Sequence, residues 1–345
     1  MGRYGEIKMS EVARRAGVSG AAVSRYLNDS GYLSKEKREA IRRAIEELGF
    51  EPPADHASRY PRCKTFGILL PPFQYDGYGL EMKAQFTRQA EKAGYHVLDC
   101  YFDLSRVPLI QALESICRER VCGIFVPMLP MMKLSDEEVD YLRDSRVPVV
   151  LISEFADSYP QVNCILREND AGAMIAVKRL LEAGCRHLAY LGPPPDKNKA
   201  SAQRLAGFWR QVRQAGLDDT DCLAAFEPLP MGNIPFAEAG YKAAKEAFAC
   251  RPDIDGILGW NDAYLAGALW RLAELEKRVP RDVKVIAFHS EYAPFLCPPV
   301  SSVEVPTERV CAAAVELLAR LQDPVERMIP RQVHLCPALT ERASV

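Results

Sequence analysis

The chain has 345 residues, of which 48% are hydrophobic and 26% are charged, and these values are ordinary for a globular protein with two or three domains. The net charge of −2 is unevenly divided, because residues 1–64 carry 13 basic and 9 acidic side chains, whereas residues 65–345 carry 31 and 37. No apolar run approaches the roughly 18 residues of a membrane-spanning helix, and the N-terminus lacks the apolar segment of a signal peptide, so we expect a cytoplasmic protein without a membrane partner.

Residues 7–50 predict a small three-helix domain. Val12, Ala13 and Ala16 form one apolar helical stripe, and Gly17 follows where a turn needs a positive φ. Ser19 is placed to cap the second helix, so the first two helices form a helix-turn-helix unit. The third helix begins at Ser34, and its apolar positions follow the spacing i, i+3, i+4 and i+7: Ile41, Ala44, Ile45 and Leu48.

The second helix has a polar face made of small residues and one arginine: Ser19, Gly20, Ala21, Ser24 and Arg25. Small residues allow a close approach to another surface, and arginine can donate two hydrogen bonds to guanine in the DNA major groove. A helical bundle that only docks on the rest of the chain is the alternative. The segments EVARRAGVSGAAVSRYLN and LSKEKREAIRRAIEELGFEP resemble the LacI/GalR family of transcription regulators.

The resemblance implies that the second helix is the recognition helix of a DNA-binding domain. Gly20, Ala21 and Arg25 stand at the base-reading positions of the family, and Asn28 and Lys37 stand where the family contacts phosphates. Gly20 has no side chain and Ala21 offers only a methyl group. We therefore expect Arg25 to carry most of the direct readout.

Two segments depart from the family pattern. Lys8 replaces the usual capping threonine, so we expect a weaker start to the first helix, with Ser10 as a substitute cap. Residues 51–64 form a proline-containing linker where the family has a hinge helix, but Pro53 replaces its asparagine cap and Arg59 replaces its wedge leucine. We expect either that Arg59 enters a narrow minor groove or that the linker is only a charged tether.

Residues 65–345 alternate apolar strands with helical stretches, which predicts a doubly wound parallel α/β body. The expected strands are 66–70, 95–98, 123–126, 149–152, 187–191, 224–227, 257–259 and 283–288. Gly94 and Gly184 each end a helix shortly before a strand, and this repeated pattern suggests two related lobes.

The resemblance implies a periplasmic-binding-protein-like body in which the chain crosses three times between lobes, near Tyr159, Ser290 and Ile329. The expected domains are a helix-turn-helix domain at 1–50, a hinge at 51–64 and an effector-binding body at 65–345. Within the body, lobe 1 is expected at about 65–159 plus 291–328, and lobe 2 at about 160–290 plus 329–345.

Motifs for catalysis, cofactors or metals are missing from the sequence. It has no G-x-G-x-x-G turn, Walker loop, H-E-x-x-H pair or G-x-S-x-G elbow. The eleven cysteines are an odd number without a C-x-x-C pair, which predicts free thiols instead of disulfides or a zinc site. We therefore expect no enzyme activity, no cofactor and no metal.

Candidate effector-binding residues follow the expected strands, because ligands of α/β sheets bind beyond the carboxyl ends of strands. Ordered along the chain, they are Gln74, Tyr75, Tyr78, Glu154, Arg204, Trp260, Asn261 and His289. The resemblance implies that Arg204, before Leu-Ala-Gly-Phe, binds the effector, although a salt bridge between lobes is the alternative. Aromatic side chains after the first strand could stack on a ring or simply fill their loop.

His289 stands where the family has an aspartate that binds sugar oxygens, unless it belongs to an unrelated surface loop. A neutral imidazole offers one donor and one acceptor, whereas a protonated one attracts an anion. Arg204 with His289 is therefore compatible with an acidic sugar derivative.

The sequence thus predicts a DNA-binding transcription regulator, and a repressor in particular, controlled by a small metabolite such as a sugar or sugar derivative. We expect a homodimer on a pseudo-palindromic double-stranded operator, with dimer contacts from Leu80–Ala90 and Cys311–Leu321. The alternative function is a ligand-binding sensor whose DNA binding is weak or lost.

Overall fold

The computed structural model of the chain describes residues 8–27, 33–48, 50, 63–70, 77–102, 107–218, 220–228 and 236–345. The chain forms two compact units, Met1–Cys63 and Lys64–Val345. None of the helices within the described ranges has both the length and the apolar character to cross a membrane.

The first unit contains the helices α1 to α3, and helices and strands alternate through most of the second unit. The helices are α1 Met9–Ala16, α2 Gly20–Leu27, α3 Lys35–Leu48, α4 Gly77–Lys92, α5 Leu109–Cys117, α6 Asp136–Asp144, α7 Asn169–Glu182, α8 Lys199–Gln214, α9 Phe236–Cys250, α10 Asp262–Glu274, α11 Thr307–Arg320 and α12 Pro324–Arg327. The strands are β1 Thr65–Leu70, β2 His96–Tyr101, β3 Gly123–Pro127, β4 Val149–Ile152, β5 Cys164–Arg167, β6 Leu188–Gly192, β7 Leu223–Phe226, β8 Gly256–Gly259, β9 Lys284–Phe288, β10 Ser301–Glu304, β11 Gln332–Leu335 and β12 Ala338–Thr340.

The N-terminal unit is the predicted three-helix domain. Gly17 has φ +66° and ends α1, as the sequence predicts. Val12, Val23 and Ile41 are fully buried, one from each helix, and they form the centre of one apolar core. This shared core fixes α2 against α1 and α3, which leaves the opposite face of α2 in solvent.

The second unit contains two six-stranded sheets, which confirms the predicted doubly wound body. The first sheet has the strand order β11-β5-β4-β3-β1-β2, and all of its neighbouring strands are parallel. The second has the order β12-β10-β9-β8-β6-β7 and is parallel except for the β10–β12 pair. The first lobe is the first sheet with α4, α5, α6 and α11, and the second lobe is the second sheet with α7, α8, α9 and α10.

The chain crosses from the first sheet to the second after β5, returns after β10 and crosses again between β11 and β12. The expected crossovers near Tyr159, Ser290 and Ile329 therefore come one strand too early. The reason is that β5, β10 and β11 are strands of only four residues, each of which completes its sheet before the chain leaves the lobe. Such short runs carry too little periodicity to stand out in a sequence.

Two glycines let α9 and α10 approach each other closely. A Cβ atom on Gly240 of α9 would lie 1.7 Å from the carbonyl oxygen of Tyr264, and one on Gly267 of α10 would lie 1.7 Å from that of Ala237. The two helices thus touch backbone to backbone at both places. This packing fixes the position of the N-terminus of α10, which directly follows the candidate residues Trp260 and Asn261.

Candidate functional site

The exposed face of α2 carries the residues predicted to contact DNA. Gly20, Ala21 and Arg25 are exposed, whereas Ala22 and Val23 of the same helix are buried. Exposed Ser19 accepts a 3.2 Å hydrogen bond from the amide of Ala22, which is the predicted N-cap contact. Ser24 is half-buried beside these residues, and Lys37 is exposed on the first turn of α3.

The start of α1 differs from the expectation. Lys8 is the N-cap residue, and a lysine side chain cannot accept a hydrogen bond. The carboxylate of Glu11, not Ser10, compensates by accepting a 3.4 Å hydrogen bond from the amide of Lys8. Only this half of a capping box is available, because the other half needs a side-chain acceptor at position 8.

Several predicted residues lie outside the described part of the chain. These are Asn28 and Arg59 of the DNA-binding set and Gln74 and Tyr75 of the effector-binding set. Tyr78 lies in the first turn of α4, and its side chain is likewise outside the described set. Residues 51–62 of the expected hinge are also not described.

A cavity of about 710 Å³ lies between the two lobes, at the carboxyl ends of both sheets. Its lining includes Pro127, Ile152 and Arg167, which end β3, β4 and β5 of the first lobe. Trp260 and His289, which directly follow β8 and β9, line it from the second lobe. This position agrees with the rule that α/β sheets bind ligands beyond the carboxyl ends of their strands.

Arg204 of α8 is the central polar residue of the cavity and is only 2% exposed. Its Nε donates to Asn169 Oδ1 at 2.9 Å, one terminal nitrogen donates to the Trp260 carbonyl, and the other lies 3.2 Å from His289 Nε2. The guanidinium also packs on the Phe288 ring, with 4.0 Å between Cζ and the ring centroid. These contacts hold Arg204 in one orientation within the second lobe.

His289 has φ +65°, a conformation that few non-glycine residues adopt. Burial and the positive charges of Arg204 and Arg167 hold the pKa of His289 well below its ordinary value, so the imidazole is neutral near pH 7. Because Arg204 can only donate, Nε2 acts as the acceptor and the ring proton lies on Nδ1. His289 therefore provides neither a positive charge nor the carboxylate oxygens of an aspartate.

Trp260, Asn261 and Asp262 lie together at the cavity, but they play different parts. Asn261 caps α10, because its Oδ1 accepts a 2.6 Å hydrogen bond from the Tyr264 amide. Burial raises the pKa of Asp262, although the three backbone amides that donate to its carboxylate act to lower it. Asn261, which the sequence analysis assigned to the effector, is thus the N-cap of α10, and Trp260 lines the cavity beside it.

Glu154 was predicted to meet ligand hydroxyls, but it is 4% exposed and is not among the described residues that line the cavity. Its carboxylate forms an ion pair with Arg167. Glu154 meets Arg167 because β5, which the sequence analysis did not predict, lies beside β4 and ends in Arg167. Arg167 lines the cavity in place of Glu154.

The two lobes are joined by polar contacts beside the cavity. Gln203 Nε2 donates to the Glu154 carbonyl of the first lobe at 3.1 Å, and Gln203 Oε1 accepts from Asn169 Nδ2 at 2.9 Å. The Lys199 amide donates to the Pro130 carbonyl at 3.1 Å. Because Asn169 also binds Arg204, a continuous row of hydrogen bonds runs from the first lobe to the centre of the cavity.

Two buried donors of cavity-lining residues have no hydrogen-bond partner among the residues that the structure describes. Trp260 Nε1 and Asn198 Nδ2 belong to side chains that are 7% and 2% exposed, respectively. Asn198 uses its Oδ1 to cap α8, and its amide nitrogen has no partner within the described ranges. Sequence analysis did not single out Asn198 or Arg167, although Asn198 precedes the helix that carries Arg204.

Comparisons with known proteins agree with both parts of the structure. A family model described as bacterial regulatory proteins, lacI family, matches residues 8–53, and one described as a periplasmic binding protein-like domain matches residues 177–345. The ribose operon repressor of Halalkalibacterium halodurans is 28% identical over 312 residues, which cover 90% of this chain and 88% of that protein. The ribose operon repressor of Escherichia coli K12 is 26% identical and covers 97% and 99%.

A solved structure described as a complex of the transcriptional regulator CelR with cellobiose has the same architecture. It matches with a TM-score of 0.67 and 25% sequence identity, over 98% of this chain and 100% of that one. The likeness spans the helix-turn-helix unit and both lobes.

Proposed function

The chain belongs to the LacI family of bacterial regulatory proteins, and we propose that it is a repressor that binds operator DNA through α2 and responds to a metabolite bound between its two lobes. The related regulators are not enzymes. The protein acts in the cytoplasm, where its operator is accessible.

The observation that carries the DNA-binding part is the exposed face of α2. Gly20 and Ala21 add almost no bulk, so the N-terminus of the helix can approach base edges closely. Arg25 is exposed on the same helix and can donate two hydrogen bonds to a guanine. Ser19, Ser24 and Lys37 surround these residues and supply donors for phosphate oxygens.

The effector part rests on the polar lining of the cavity. Arg204, Trp260 and Asn198 line a space of about 710 Å³, and such a mixture of polar and aromatic side chains suits a ligand rich in oxygen atoms. Two relatives are ribose operon repressors, and one structural neighbour is a cellobiose complex, which supports a sugar or sugar derivative. Asn261 and His289 complete the proposed effector-binding set from the second lobe.

We also propose that the protein is a homodimer, since one helix-turn-helix unit reads only half of a pseudo-palindromic operator. The predicted dimer segments are Leu80–Ala90, within α4, and Cys311–Leu321, which covers most of α11 and its C-cap, and α4 packs against α11 in the first lobe. Much of both segments belongs to the core of the protomer, so their exposed faces remain for a partner. Effector binding would change the angle between the lobes and hence the spacing of the two recognition helices.

Selection of binding sites from a random duplex library, followed by fluorescence anisotropy, tests the DNA-binding part. Losing a bidentate arginine–guanine contact costs about 1–3 kcal/mol, so we expect Arg25→Ala to raise Kd about 5- to 150-fold on the selected site and to relax specificity there. The control is Arg42→Ala, which removes an equal charge from an exposed position of α3.

Equal losses for Arg25→Ala and Arg42→Ala would mean that α2 contributes only charge. If the parent protein enriches no duplex from the library, the chain is instead a ligand-binding sensor without specific DNA binding.

A further inference from the structure

One side of the cavity between the lobes is an apolar wall that the first lobe provides. This wall consists of the segment Pro127–Met131, which ends β3 and continues past it, together with Ile152 at the end of β4. Pro127 and Ile152 are paired in register on these neighbouring strands, so the wall extends across two strand ends. The segment reads Pro-Met-Leu-Pro-Met, which offers no side-chain hydrogen-bond donor and only the weak acceptor of a thioether sulfur.

Part of the apolar wall is accessible to a ligand. Met131 is 48% exposed, and Leu129 is half-buried. Covering such side chains with an apolar group is favourable, because apolar surface removed from water contributes free energy in proportion to its area. The carboxylate of Glu154, which follows β4, is paired with Arg167 and does not add a polar group to the wall.

The apolar wall lies directly against the start of α8. The Pro130 carbonyl accepts a 3.1 Å hydrogen bond from the amide of Lys199, the first residue of that helix. Asn198 and Ala200, on either side of Lys199, also line the cavity. Arg204 lies further along the same helix, at a distance of about 7.5 Å along the axis from Lys199. One bound molecule can therefore contact the apolar wall and Arg204 together.

The second lobe provides polar and aromatic groups on its side of the cavity. Asn261 and His289 follow the ends of β8 and β9, and they bring polar side chains to the lining in addition to Arg204. Trp260 and Phe236 also line the cavity, with ring centroids 6.0 Å apart and ring planes at 85°. Aromatic rings pack well against such rings and against methionine sulfur, whereas sugar hydroxyl groups need the polar side chains.

We propose that the effector is a glycoside with an apolar ring as its substituent. The sugar hydroxyl groups bind on the second-lobe side, at Arg204 and His289, and the substituent packs on the apolar wall beside Met131. The size of the cavity fits such a molecule, because about 710 Å³ lies within the range of pockets that enclose ligands of drug size. A single sugar ring would leave the apolar wall uncovered. This inference rests on the proposed function only in taking the cavity as the effector site.

The two parts of the glycoside contact different lobes, which gives the intact molecule a role in regulation. It favours the lobe arrangement in which both contacts are made, whereas the free sugar contacts only the second lobe and has no such preference. Cleavage of the glycosidic bond therefore removes the signal. The regulator then responds to the intact glycoside and not to the sugar that a glycosidase would release from it.

Isothermal titration of the full-length protein tests the proposal with matched probes. The probes are phenyl β-D-glucopyranoside and phenyl β-D-galactopyranoside, each compared with its methyl β-glycoside and with a disaccharide of the same sugar, cellobiose or lactose. The methyl glycoside lacks the apolar ring, and the disaccharide replaces it with a polar ring of similar size. We expect saturable binding of at least one phenyl glycoside and at least tenfold weaker binding of its two counterparts. The heat-capacity change on binding should be more negative for the phenyl glycoside, because it buries more apolar surface.

Met131→Ser tests where the apolar ring lies. Because about half of the Met131 side chain is exposed, its replacement should leave the fold intact, which thermal melting checks. We expect Met131→Ser to weaken binding of the phenyl glycoside about tenfold and to leave that of the methyl glycoside unchanged. Met328→Ser is the matched control and should change neither affinity, since Met328 is 82% exposed and lies outside the described cavity lining.

Equal or tighter binding of the methyl glycoside or the disaccharide would overturn the proposal, and so would binding of neither phenyl glycoside. Equal affinity of the parent and Met131→Ser for a bound phenyl glycoside would place the ring elsewhere and would also contradict it. A methyl glycoside that binds as well as its phenyl counterpart would still agree with an effector site in the cavity, so the proposed function would survive. None of these outcomes bears on the DNA-selection experiment, and the two proposals therefore fail separately.

Discussion

Gly267→Ala probes the contact that positions the N-terminus of α10 and hence Trp260 and Asn261. The added Cβ would lie 1.7 Å from the Ala237 carbonyl oxygen and 2.6 Å from the Tyr241 nitrogen, both of them backbone atoms. Real Cβ atoms are essentially never found within 3.0 Å of another heavy atom, so α10 must move away from α9 by at least 1.3 Å. Neither side of this contact has a flexible side chain that could yield instead.

The size of the effect follows from two opposing contributions. Overpacking of this kind costs about 1–3 kcal/mol, and the rigid backbone places it near the upper limit. Alanine regains about 1 kcal/mol through its higher helix propensity. We therefore expect a net loss of about 2 kcal/mol in the free energy of unfolding, or a Tm lowered by roughly 4–8 °C for a unit of this size.

Urea denaturation and thermal melting of the full chain measure this loss. Lys245→Ala and Lys245→Gly, at an exposed position of α9, give the difference in helix propensity between alanine and glycine without a packing change. Gly240→Ala meets the Tyr264 carbonyl oxygen at the same 1.7 Å and should behave like Gly267→Ala. Stability equal to or above that of the parent in both glycine variants would refute the close-packing argument.

Two further predictions concern His289 and Lys8. Because the folded-state pKa of His289 is depressed, its contribution to stability is present above the unfolded-state pKa of about 6.5 and is lost as the pH falls below it. His289→Gln should therefore reduce the fall in Tm between pH 7 and pH 5, and parallel curves for variant and parent would contradict the assignment. Lys8→Ser supplies the missing side-chain acceptor and should slow amide hydrogen exchange in α1 by an amount equivalent to about 1 kcal/mol. Lys8→Ala, which only removes the charge, should give less protection than Lys8→Ser.

Local patterns were enough to predict most of the fold. The positive φ values of Gly17, Gly94 and Gly184 occur at the predicted helix ends, because these turns are specified by residues adjacent in sequence. The short strands β5, β10 and β12 could not be predicted in the same way. β5 and β12 have only four and three residues, and Ser301 and Ser302 of β10 are buried polar residues that do not resemble a core strand.

The candidate site could be predicted where it depends on motifs and not where it depends on strand neighbours. Arg204 lies in α8, and Trp260 and His289 directly follow β8 and β9, all of them elements that the sequence defines well. The ion pair of Glu154 with Arg167 could not be predicted, because Arg167 ends a strand that was not predicted. The neutral state of His289 likewise depends on the arrangement of two arginines in space.

The row of hydrogen bonds from the Glu154 carbonyl through Gln203 and Asn169 to Arg204 links the proposed effector-binding arginine to the first lobe. A rotation of one lobe would stretch the Gln203–Glu154 bond and so loosen the side chain that is hydrogen-bonded to Asn169. Gln203 would therefore influence how strongly metabolite binding changes the affinity for the operator, although Gln203 does not line the cavity. Natural relatives that differ at this one position would be expected to share a ligand and yet differ in how fully they release DNA.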